Sequence, residues 1–243
     1  MYTIEQLEKI IAGDWKIANK QVKVSVVLQD SRKLDKPSST LFFAIKGDRL
    51  DGHHYLDKMY ESGVRNFVVC SAGVLAKLKG VNYVVVKDSL QAMQNLASFH
   101  RKQFNIPVVA ISGSNGKTIV KEWCHQLLQA DYDICRSPKS YNSQLGVPLS
   151  VWRLNSKNTL AIFEAGISEP NEMERLEKII APNIGIFTTI GAAHNENFIH
   201  ENHKIKEKLK LFLKAQALIY CSDIQVLHQN IREVFGNNAT ISG

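Results

Sequence analysis

The 243-residue sequence predicts an α/β protein in two parts, a small α/β domain over residues 1–105 and a P-loop-type parallel-sheet domain over 106–243. Three observations predict it. Apolar, β-branched runs alternate with helical patterns at spacings that suit parallel strands joined by right-handed crossovers. The run Ile106-Pro107-Val108-Val109-Ala110-Ile111-Ser112 empties into the small-residue turn Gly113-Ser114-Asn115-Gly116, and Lys117-Thr118 then open a helical pattern. An apolar content of 44% with 22% charged residues is that of a globular chain.

In order, the first part opens with an amphipathic helix carrying Ile4, Leu7, Ile10 and Ile11. Strand-like runs follow at 22–28, 41–45, 66–69 and 83–86, and a long helix at 89–104. Pro107 restarts the chain as a buried strand, which sets the boundary at about residue 105. The second part reads strand 107–112, helix 117–130, strand 159–164, helix 171–180, strand 184–189, helix 201–215, strand 217–221 and helix 224–234. Ligands of such sheets gather at the carboxyl ends of the strands, where Gly113–Thr118, Glu164 and His194 fall.

The bulk numbers exclude several classes. No run of about 18 apolar residues exists, so no membrane span is expected. The start has no basic-then-apolar layout, and four widely spaced cysteines lack a C-x-x-C pair, so a cytoplasmic protein with reduced thiols is expected. A net charge of +7 permits nucleic-acid binding. Yet no arginine-rich tract or aromatic-interleaved basic stripe accompanies it, and an anionic small molecule explains the surplus equally well. The densest cationic stretch, from Lys204 to Lys214, is expected to be a solvated helical face.

The turn Gly113 to Thr118 has the layout of a nucleotide phosphate site. Backbone N–H groups face phosphates, Lys117 neutralises terminal phosphate charge and Thr118 can ligate magnesium. The pattern is incomplete, because Ile111 stands where the general P-loop has its first glycine. Glu164 closes a strand where a carboxylate can complete the magnesium shell begun by Thr118. His194 follows the strand at 184–189, and Lys208 lies in the helix beyond it.

Taken together, several segments resemble the Mur ligases of peptidoglycan synthesis: Gly113–Thr118 with Val120-Lys121-Glu122-Trp123, Asn142-x-x-Leu145-Gly146-Val147-Pro148, Phe163-Glu164-Ala165-Gly166, and Thr188-Thr189-Ile190 with His194. Asp30-Ser31-Arg32, Leu41 through Gly47 and Asp51-Gly52-His53 look like that family's UDP-binding domain. Within the family, the Lys121-Glu122 pair and the long helix leading into the phosphate loop are closest to the ligase that joins D-alanyl-D-alanine to UDP-N-acetylmuramoyl-tripeptide.

The resemblance implies an ATP- and Mg²⁺-dependent amide ligase working through an acyl phosphate. Gly113, Ser114, Asn115, Gly116, Lys117, Thr118 and Ile119 would hold ATP. Thr118 and Glu164 would hold a first magnesium ion, and His194 with a carbamylated Lys208 a second. Lys117, His194 and Lys208 would be catalytic. Asp30, Ser31, Arg32, Lys46 and Gly47 would bind the UDP-sugar, and Asn142 would bind substrate in the central cleft. Lys204 and Lys210 are expected to lower the pKa of Lys208, which favours the neutral amine that carbamylation needs. Two positions depart from the family: Ile119 replaces a hydroxyl residue, and Lys210 stands where an acid is common. Family members also carry a third, C-terminal domain. The chain is therefore expected to be part of a longer one, to bind UDP-sugar better than ATP and not to complete ligation by itself. The sister ligase that adds the third stem residue, a P-loop switch ATPase or kinase, and a non-catalytic relative remain open alternatives.

Overall fold

A computed structural model of the chain describes residues 1–47, 50–191, 197, 198, 200–236 and 240–242. It divides into two compact units, Met1–Leu96 and Ala97–Gly243. In the first, β1 (Tyr2–Thr3) leads into α1 (Ile4–Ile10), whose N-terminus is closed by a reciprocal Thr3–Gln6 capping box. Then come β2 (Asp14–Lys16), β3 (Lys23–Val24), β4 (Val26–Leu28), β5 (Thr40–Phe43), α2 (Leu56–Glu61), β6 (Asn66–Val69), β7 (Asn82–Val85) and α3 (Ser89–Arg101). The sheet order is β2-β7-β6-β5-β4, parallel except for β2 against β7. The run expected as one strand over 22–28 breaks at Ser25, because β3 pairs with β1 whereas β4 pairs with β5. Phe42 and Phe67 meet edge-to-face at the centre, and the buried amide of Asn82 is satisfied by Asn66 and by the Ala18 and Asn19 N–H groups.

The division between units falls inside α3 rather than at residue 105. The last turn of that helix is already part of the second core. Ala97 packs there, Ser98 Oγ donates to the Lys178 carbonyl and His100 Nε2 to that of Leu154. The Arg101 guanidinium donates to the carbonyls of Ile180, Ala181 and Phe104. Pro107 marks where the strand starts, and the apolar side of the helix before it is claimed earlier.

The second unit continues with β8 (Val108–Ser112), α4 (Lys117–Leu128), β9 (Ile134–Arg136), α5 (Gly146–Val151), β10 (Leu160–Glu164), α6 (Met173–Ile180), β11 (Ile184–Phe187), α7 (Glu201–Leu209), β12 (Ala217–Tyr220), α8 (Gln225–Phe235) and β13 (Thr240–Ser242). Its six strands are all parallel, in the order β13-β12-β11-β8-β10-β9. The α/β class and the parallel second sheet are as the sequence predicts. The chain leaves β8 for the edge strand β9, returns to β10 and then crosses to β11. The carboxyl end of β8 is therefore the switch point at which such sheets bind ligands.

The strand β9 and the helix α5 were not expected. β9 has only three residues, and α5 contains Gly146 and Pro148, which read as turn residues. Among the described residues no helix is long and apolar enough to cross a membrane. The four cysteines are free: Cys70 and Cys221 are exposed, Cys124 is half-buried, and Cys135 is buried with its thiol pushed up to about 11.

Gly185 on β11 sits under Phe212, whose ring also packs against Phe187. A Cβ at Gly185 would come 2.4 Å from Phe212 Cδ1 and 2.9 Å from Leu218 Cδ1. Gly185→Ala should therefore destabilise the protein by about 1–3 kcal/mol through overpacking. Denaturant midpoints of the two proteins check this, and coincident midpoints would show that Phe212 moves aside freely.

Candidate functional site

The carboxyl end of β8 turns through Gly113-Ser114-Asn115-Gly116 into α4. Gly113 has φ 141° and Gly116 φ 81°, both in the region that disfavours side chains. At Gly113 a Cβ would also lie 2.1 Å from Thr188 Oγ1, so the loop can lie this close to the end of β11 only with glycine there. The contact is polar: Ser114 N donates to the Thr189 carbonyl at 2.7 Å, and Thr188 Oγ1 to that of Asn115 at 2.6 Å. No side chain caps the N-terminus of α4, so its first N–H groups can receive an anion.

Three lysines bear on this loop. Lys117 Nζ donates to the carbonyls of Gly113 (2.9 Å) and Ser114 (3.2 Å), and Lys208 Nζ to that of Gly113 (3.3 Å). Lys204 Nζ donates to the Gly191 carbonyl, which Ser114 Oγ also reaches. Burial lowers the pKa of Lys117, with Glu164 opposing it. Burial, then the charges of Lys117 and Lys204, push Lys208 down to about 7.

Two expectations are corrected here. The Lys204 side of α7 is not a solvated face, since Lys204, Glu207 and Lys208 are all buried. Nor does Lys210 act on Lys208. Two positions further along it points elsewhere, pairing with Glu207 at 2.6 Å and Glu174 at 3.0 Å, and those acids raise its own pKa.

Opposite the lysines stands Glu164, fully buried at the end of β10. Its Oε2 accepts from Thr118 Oγ1 at 3.1 Å and from Asn142 Nδ2 at 3.4 Å. Ser140 Oγ lies 3.2 Å from the same Thr118 hydroxyl. Lys121 Nζ lies 2.9 Å from Oε1, but directs its hydrogen bonds to the Ser137 and Lys139 carbonyls, so Oε1 accepts none from the described residues. The Thr118 hydroxyl and Glu164 Oε2, 3.1 Å apart, are hard oxygen donors of the kind magnesium takes, and the residues fit such an ion. Lys117, Thr118, Asn142, Glu164 and Lys208 thus converge, and a pocket of about 120 Å³ is lined by Gly113, Ser114, Lys117, Asn142, Gly166 and Lys208 among others. Ile119 lies exposed one residue along α4 from Thr118. His194 lies outside the described residues.

In the first unit, Asp30, Ser31 and Arg32 leave the carboxyl end of β4, and Lys46 and Gly47 that of the neighbouring β5. Asp30 takes two guanidinium bonds from Arg32 at 2.9 Å, which hold its carboxyl below the usual range. Lys46 lines a pocket of about 580 Å³ with Asp51, His53, His54, Asp57 and Cys70 among others, a lining that does not include residues 30–32. There Cys70 N–H donates to His53 Nε2, which leaves the proton on Nδ1, 2.6 Å from Asp51 Oδ1.

Sequence reasoning quoted Lys121 and Thr188 as motif members without a role, and missed Ser137 and Ser140. Lys121 had one usable signal, a charge one turn beyond Lys117 on the inward side of an amphipathic helix.

The Mur ligase middle domain family matches residues 111–242. The UDP-N-acetylmuramoyl-tripeptide–D-alanyl-D-alanine ligase of Bacillus subtilis is 29% identical over 93% of this chain and 50% of its own length. That of Haemophilus influenzae is 36% identical over 75% and 40%. The chain thus spans about half the length of the curated relatives it matches. Among solved structures, MurF from Acinetobacter baumannii superposes with a TM-score of 0.87 at 24% identity, over 99% of this chain and 52% of that one. MurF from Thermotoga maritima in complex with ADP gives 0.76 at 22% identity, over 87% and 49%.

The depressed Lys208 sets a pH dependence. Below about pH 7 both folded and unfolded chains carry its proton, and the burial penalty is complete. Between about 7 and 10.5 only the unfolded chain binds it, so this lysine adds stability with rising pH, by about 1.4 kcal/mol per unit. Lys208→Met lacks that rise. Denaturation midpoints from pH 7 to 10 should shift the balance toward the wild type as pH climbs, and a pH-independent difference would contradict the shift.

Proposed function

The chain belongs to the Mur ligase family, and from that premise we propose that it serves the ATP-dependent joining of D-alanyl-D-alanine to UDP-N-acetylmuramoyl-tripeptide. The observation that carries the reading is the convergence of Lys117, Thr118, Glu164 and Lys208 on the loop that follows β8. The names of the curated relatives support the substrates, and the free cysteines agree with a cytoplasmic setting.

The chemistry explains the need for this cluster. A carboxylate is a poor electrophile and is repelled by a polyphosphate. In the proposed reaction, its oxygen attacks the γ-phosphorus, the bond to ADP breaks and an acyl phosphate forms. The amine of D-alanyl-D-alanine then attacks the acyl carbon, phosphate leaves and the nitrogen gives up a proton. Both steps bring anions together, so fixed cations and donors lower the barrier. Lys117 bears on the terminal phosphates, and the N–H groups opening α4 cradle them. Thr118 and Glu164 would hold Mg²⁺, which supplies charge neutralisation and a template for in-line approach. His194 is assigned to a second metal ion with Lys208, whose depressed pKa provides the neutral amine that carbamylation requires. Asp30, Ser31 and Arg32, with Lys46 and Gly47, are assigned to the UDP moiety, and Asn142 to the cleft beside Glu164.

Calorimetry with UDP-muramoyl tripeptide and, separately, Mg·ATP tests the two halves. Lys117→Ala should weaken Mg·ATP about tenfold or more and leave the UDP-sugar within about twofold. Ser31→Ala should do the reverse. Wild-type protein that binds neither ligand, or variants that lose both together, would overturn the assignment.

A further inference from the structure

We infer that Lys121 is a positioning residue for the metal acid Glu164, setting which carboxylate oxygen faces the nucleotide loop. The inference rests on the proposed nucleotide and Mg²⁺ site.

Lys121 is fully buried on α4, one turn beyond Lys117. Its ammonium meets four oxygens: Glu164 Oε1 at 2.9 Å, Glu122 Oε1 at 3.1 Å, and the carbonyls of Ser137 at 2.8 Å and Lys139 at 2.5 Å. Lys139 reaches it from a left-handed backbone, φ 49°, which a non-glycine residue adopts only when its surroundings demand it. Glu122 is also held by Arg136 Nη1 at 2.5 Å.

A fold-only role accounts poorly for this arrangement. Desolvating an ammonium is costly, and an apolar side chain of similar length fills a core position without that cost. What an apolar residue cannot do is sort the two oxygens of a buried carboxylate. Lys121 takes the Oε1 side, which leaves Oε2 with Thr118 and Asn142 on the side of the loop. By holding the 137–139 backbone it also fixes the stretch that places Ser140 beside Thr118 and Asn142 beside Glu164. One cation thereby orients the acid and the polar groups around it.

The test measures ADP affinity with excess Mg²⁺ and with EDTA, for wild type, Lys121→Met, Glu164→Gln and the double variant. Wild type should show a Mg²⁺-dependent gain. Lys121→Met should lose about tenfold of that gain while its affinity in EDTA stays within about twofold, a split that general unfolding would not produce. In the Glu164→Gln background, Lys121→Met should change nothing further. An undiminished or larger gain in Lys121→Met, or equal losses with and without metal, would overturn the inference. A wild type that binds ADP without any Mg²⁺-dependent gain would instead sink the underlying metal site. Should Lys121→Met fail to fold, the Lys121 ammonium ¹⁵N resonance of the wild-type ADP complex serves. It should move on adding Mg²⁺ and stay fixed in Glu164→Gln; a stationary wild-type signal would overturn the inference equally.

Discussion

Positive charge packed against backbone carbonyls governs the second unit. Lys117, Lys204 and Lys208 approach the chain at Gly113, Ser114 and Gly191, all within the low-dielectric edge of one sheet. Neutral carbonyl dipoles hold such groups in place but do not cancel their charge. The crevice therefore keeps a strong attraction for anions, and the charges of Lys117 and Lys204 raise the cost of protonating Lys208. Glu164 and Lys121 answer this on the far side as a buried pair of opposite sign. Much of the site's chemistry follows from how these charges are distributed over two helices and the ends of three strands.

Geometry makes that distribution possible. The strand order reverses around β8, so the loop after it is flanked by the ends of β10 and β11. β10 delivers Glu164, and beyond β11 comes Thr188, against which Gly113 lies too closely for any side chain. The hydrogen bonds from Ser114 and Thr188 then fix the loop to its neighbour. Loop, acid and lysines are held by regular elements, which suits a site whose task is alignment.

Legibility in the sequence followed locality. The segment Gly113–Thr118 could be read because its strand, turn and helix are contiguous, and Glu164 because it ends an apolar run. Lys208 is one basic residue among 30, and only the family resemblance singled it out. Whether a charged residue is buried depends on partners far along the chain. Hence Lys204 and Lys208 read as solvent-facing, and Lys121 acquired a role only once Glu164 and Ser137 stood beside it. Short elements such as β9 offer too few residues for a period to register. The end of α3 was read as helix but assigned to the first unit, because Pro107 is a louder signal than Ala97, Ser98 and Arg101.

The cysteines divide by reactivity in a useful way. A thiol with a pKa near 11 inside the core, as at Cys135, is almost wholly unreactive toward maleimides at neutral pH. Cys70 and Cys221 are exposed, one in each compact unit. Replacing the half-buried Cys124 by alanine would leave a matched pair of handles for dyes, on a chain otherwise in its natural form. Fluorescence from a dye on each would report ligand binding unit by unit.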